Sequence, residues 1–70
     1  MNTLKTGRTN ATVELDRSEM AILNNALNEV CNGLSLHEFA TRMGAERDEV
    51  LRLLEEISDL IKRMESIDAA

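Results

Sequence analysis

The sequence predicts a small all-α domain of three helices, and three observations predict it. Proline is absent and glycine occurs only at positions 7, 33 and 44, so few places along the chain break a helix. Apolar side chains recur at alternating steps of three and four in two long segments, the spacing that lays one stripe along a helix. Capping residues stand ahead of the helical segments, Asp16 or Ser18 before the first and Ser35 before the second, where a side-chain oxygen can take up an unpaired N–H group.

Residues 1–11 are polar and aperiodic and are expected to form a flexible tail. The single helical domain is expected over 12–70. Thr12, Val13, Glu14 and Leu15 alternate polar and apolar, which suits a short N-terminal extended segment. A lone strand of that length does not stand by itself. It is either coil leading into the helix or an edge that pairs with its own copy in a second subunit.

The first helix is expected over 17–32. Asp16 has Glu19 three residues on, the spacing of a capping box, and Leu15 and Met20 are placed to close a hydrophobic staple. Met20, Leu23, Leu27, Val30 and Leu34 make its stripe, with Cys31 on the margin as a small buried apolar group. Gly33 is the expected left-handed residue that ends it. Asn24, Asn28 and Asn32 form a second, polar stripe. It is either a solvated rim or a ladder that recognises a partner's backbone.

The second helix is expected over 35–43, opened by a Ser35/Glu38 capping box, with Leu36, Phe39, Ala40 and Met43 facing inward and Gly44 closing it. A long C-terminal helix follows over 46–67, with Glu46, Asp48 and Glu49 at its start, where the helix dipole favours negative charge. Phe39-Ala40, Met43-Gly44-Ala45, Val50 and Leu53 resemble the helix-turn-helix pattern, a small residue at the helix crossing and a glycine in the turn. The resemblance spans 34–53 and implies a helix-turn-helix-like corner. Its usual function would make the chain a small DNA-binding regulator, with Arg42, Arg47 and Arg52 as its DNA-binding residues. Glu46 and Asp48 beside them oppose a phosphate backbone, and Leu51 would be left bare.

Charge points the same way. Net charge is −5, and residues 14–70 hold all thirteen acids against six bases, a balance of −7. Such a body disfavours general attraction to nucleic acid. No apolar run approaches the ~20 residues that cross a bilayer, and no apolar segment follows the first basic residues, so a cytoplasmic protein is expected.

Chemistry is sparse. Cys31 is the single cysteine and His37 the single histidine, too few for a structural zinc or an internal disulfide. His37 and Glu38 are adjacent and diverge on a helix. No phosphate loop, nucleophile elbow or aromatic platform occurs. No catalytic residue, metal or cofactor is expected.

Val50, Leu53, Ile57, Leu60, Met64 and Ile67 follow a heptad, and Leu54 and Ile61 widen it. A helix over 46–67 outruns the two before it, so a homodimer is expected, with Leu53, Ile57, Leu60, Ile61, Met64 and Ile67 at the interface. Arg52/Glu56 and Asp59/Arg63 stand at i, i+4 as solvent-face pairs. The expected function is a non-enzymatic protein-interaction module, regulatory, adaptor or immunity-type. Asn24, Asn28, Asn32, Glu46, Asp48 and Leu51 are its expected partner-binding residues, and its expected partner is a protein.

Overall fold

The computed structural model describes residues 1–33 and 35–68, with side chains through residue 67. Strands β1 (Asn2–Thr6) and β2 (Ala11–Glu14) precede α1 (Arg17–Asn28), a π-helical turn (Glu29–Gly33), α2 (Phe39–Met43) and α3 (Arg47–Asp68). The fold is mostly helical, with three helices and a long C-terminal one, as expected. Leu34, expected at the end of the first stripe, lies outside the described residues.

The N-terminal region departs from expectation. The extended segment expected at 12–15 is a strand over Ala11–Glu14, and it pairs within its own chain. Residues 2–6, read as tail, run antiparallel to it, pairing Asn2 with Glu14 and Thr6 with Ala11, with an irregularity between Thr3 and Lys5. Gly7 N–H donates to the Asn10 carbonyl at 2.8 Å and closes the turn. Asn2 Nδ2 donates to Glu14 Oε1 at 2.9 Å. Every residue of both strands is exposed, so the hairpin has no buried apolar face, and only the second strand shows alternation in the sequence.

Helix α1 starts as its residues dictate. Asp16 Oδ1 accepts from Glu19 N–H at 2.8 Å, and Glu19 Oε1 accepts from Asp16 N–H at 3.0 Å. This reciprocal capping box is worth about 1 kcal/mol. The helix does not continue regularly to Asn32 as expected. Its last turn widens into the π-helical stretch, and Gly33 is not left-handed. The Cys31 carbonyl, among the last four of its helix and so without a partner in a regular ladder, accepts a hydrogen bond from Arg47 Nη1 on α3.

Helix α2 is shorter than expected. Residues 35–38 are not helical, Glu38 is itself left-handed (φ 54°, ψ 50°), and no side chain caps the helix. The Ser35/Glu38 box therefore does not form. Phe39 and Met43 instead pack against the core of Cys31, Val50 and Leu54, so tertiary burial overrides the local capping preference. Gly44 ends α2 as expected, with φ 75° and its N–H on the Ala40 carbonyl at 2.8 Å. The helix-turn-helix-like corner is present, with two changes. Leu54, not Leu53, is the buried second anchor on α3, since Leu53 is 48% exposed. Leu51 is not bare but half-buried against the core.

Helices α1 and α3 are antiparallel along their length. Arg17 Nη2 donates to the Met64 carbonyl at 3.4 Å at one end. Ser58 Oγ donates to Asn24 Oδ1 at 2.6 Å in the middle, and Arg47 reaches Cys31 at the other end. Helix α1 thus covers α3 as far as Met64, further than its sequence length suggests. The resulting molecule is flat, 42 × 32 × 17 Å. Its radius of gyration is 13.9 Å, against about 11 Å for a compact chain of this length.

Candidate functional site

The α1/α3 pair presents two sides, and helical spacing sorts the candidate residues between them. At about 100° per residue, Asn24 and Ser58 mark one side, because they bond to each other. Asn28 and Asn32 continue that side along α1, and Asn32 Nδ2 donates to Asn28 Oδ1 at 3.0 Å. Asp48 and Leu51 share the corresponding side of α3, where they line a shallow depression with Arg52 and Glu55. Five of the six expected partner-binding residues therefore fall on one side of the pair. Glu46 stands apart at the start of α3, where its carbonyl accepts from the N–H groups of Glu49 and Val50. Asn24 spends its carbonyl oxygen on Ser58 within the fold, which leaves Asn28, Asn32 and Asp48 as the exposed polar members.

The other side is apolar and open. Along α3, Val50 and Leu54 are buried, and Ile57, Ile61 and Met64 are half-buried, on the line that meets α1. Roughly a quarter turn away, Leu53, Leu60 and Ile67 repeat every seven residues at 48%, 45% and 74% exposure. Leu23 of α1, 39% exposed, flanks them. The expected interface residues thus separate into two sets. Ile57, Ile61 and Met64 are partly used inside the chain, and Leu53, Leu60 and Ile67 are not. In the sequence Leu23 is indistinguishable from a core position, because periodicity assigns a stripe to a helix without saying how wide a face the neighbouring helix covers.

Of the three arginines Arg42, Arg47 and Arg52, Arg47 is drawn into the fold. Arg47 places its guanidinium 4.7 Å from the centre of the Phe39 ring while bonding the Cys31 carbonyl. That cation–π stack and hydrogen bond tie the π turn, α2 and α3 together. Arg42 and Arg52 are exposed on different helices. The expected surface pairs Arg52/Glu56 and Asp59/Arg63 are not closed, so among the described residues Glu56 and Arg63 have no ion-pair partner within the chain.

At the head of α1, Glu19 is shared between the capping box and the Met1 ammonium, which donates to its Oε2. The ammonium and, after it, the Asp16 N–H hold the Glu19 carboxyl below the usual carboxylate range. Met1, Leu15, Ile22 and Leu23 line a mainly apolar cleft beside it. Cys31 is buried and carries a free thiol, as expected. His37 is exposed in the turn before α2.

Among the described residues, no group of His, Cys, Asp and Glu gathers with metal-binding geometry, and no helix is long and apolar enough to cross a membrane. Comparison of the chain with protein families, with curated proteins and with solved structures finds no match.

Proposed function

We propose that this chain is a non-enzymatic protein-interaction module that acts as a homodimer and binds a protein partner. The observation that carries this reading is an exposed apolar line on a molecule with little buried core. Among the described residues only Met20, Cys31, Val50 and Leu54 are buried, and no side chain is fully enclosed. A chain of this size has little stability in reserve, and burying Leu53, Leu60 and Ile67 adds about 1–2 kcal/mol for each side chain covered. Self-association supplies that burial. The polar side, with Asn28, Asn32, Asp48 and Leu51, then remains available to a partner, and its acidic groups steer a basic one.

Two measurements test it. Sedimentation of the chain at micromolar concentration is expected to give a dimer, and a monomer there defeats the reading. Affinity capture from the native cell is expected to retain a protein that Asn28→Arg/Asp48→Arg loses and wild type keeps. A salt-dependent shift of random duplex DNA would instead establish phosphate binding and overturn the assignment.

A further inference from the structure

We infer that the exposed line of α3 is the seam of an antiparallel homodimer centred on Leu60, in which two α1/α3 pairs close a four-helix bundle. The inference rests on the homodimer reading and specifies its geometry. Leu53, Leu60 and Ile67 are spaced symmetrically about Leu60, so a two-fold axis there sets Leu60 against itself and Leu53 against Ile67 of the partner subunit. Ile57 and Met64, half-buried on the α1 margin, come within one residue of level across the same axis and extend the apolar contact.

Charge on the other margin decides the direction. Glu56 and Arg63 are seven residues apart on one line of α3, both exposed and neither ion-paired within the chain among the described residues. Two antiparallel copies centred on Leu60 bring Glu56 within one residue, about 1.5 Å, of the level of Arg63 of the partner subunit, twice by symmetry. A parallel alignment sets Glu56 level with Glu56 and Arg63 level with Arg63, which repel.

The quarter-turn offset between the seam and the α1-facing line decides the architecture. It is the corner angle of a four-helix bundle, with α1 on one side of each α3 and the second copy on the next. The Asn24–Ser58 bond sets Leu23 near the level of Leu60, at the middle of that bundle. This explains why Leu23 is left 39% exposed by its own chain.

Sedimentation velocity on the full chain reads the seam. Glu56→Arg and Arg63→Glu each place two like-charge pairs in it and are expected to weaken dimerisation about tenfold. The Glu56→Arg/Arg63→Glu double variant leaves net charge unchanged and is expected to restore wild-type affinity. In a Cys31→Ala background, Leu53→Cys and Ile67→Cys chains mixed and oxidised are expected to crosslink to each other, and neither to itself. A monomeric wild type overturns this inference together with the homodimer reading. A wild-type dimer whose double variant stays as weak as the single ones, or whose Leu53→Cys chain crosslinks to itself, overturns the antiparallel seam alone.

Discussion

Asp16 and Arg47 are both exposed, yet each holds a junction that its neighbours cannot hold. Asp16→Ala removes the acceptor of the Glu19 N–H and is expected to cost about 1 kcal/mol, read as a fall in thermal midpoint. Arg47→Ala leaves the Cys31 carbonyl and the Phe39 face without their partner. Its expected cost is about 1–2 kcal/mol, and Arg47→Lys recovers only part, because an ammonium lacks the planar face that stacks. Glu19 links stability to pH. Its folded carboxyl titrates below its ordinary value, so its contribution is full above the ordinary carboxylate range and is lost as pH falls through the folded value. Thermal midpoints measured from pH 6 down to acid are expected to fall in that window, and Glu19→Gln is expected to flatten the fall. Asp16 and Glu19 were legible in the sequence, because a capping box is local. The role of Arg47 was not, because its hydrogen-bond partner Cys31 lies 16 residues away in an irregular turn and its stacking partner Phe39 lies on another helix.

At the scale of elements, legibility follows how much of each element's stability is local. Helix α3, with Asp48 and Glu49 in its first turn and a long apolar stripe, begins and ends within one residue of expectation. Helix α2 has five residues, too few to persist by propensity, and it exists where Phe39 and Met43 reach the core. Phe39→Ala is therefore expected to release α2 while α1 and α3 stay folded. Hydrogen exchange checks this: the Arg42 and Gly44 amides, bonded to Glu38 and Ala40, should lose protection while those of α3 keep it. Only the second strand of the hairpin was legible, because the first is mostly polar and neither buries a face. Gly7 and Asn10 at the ends of the turn were the available signal.

For the whole molecule, the flat shape is the property with the most consequence. A single layer of two long helices buries one face of each and leaves the adjoining face to water or to a second copy. If the second copy takes it, the thermal midpoint rises with protein concentration. Leu60→Ser is expected to abolish that dependence and leave a monomer with its helical circular dichroism intact, since Leu60 is already 45% exposed within one chain. The sequence by itself determined the helical class, the cap of α1, the left-handed Gly44 and the register of the α3 stripe, because each rests on spacing or on contacts a few residues long. Only the tertiary structure decided that the stripe divides into a covered line and an open one. How far one helix shields another depends on their direction and depth of packing. Those are set by contacts such as Arg17 to Met64, Asn24 to Ser58 and Cys31 to Arg47, between residues far apart in the chain.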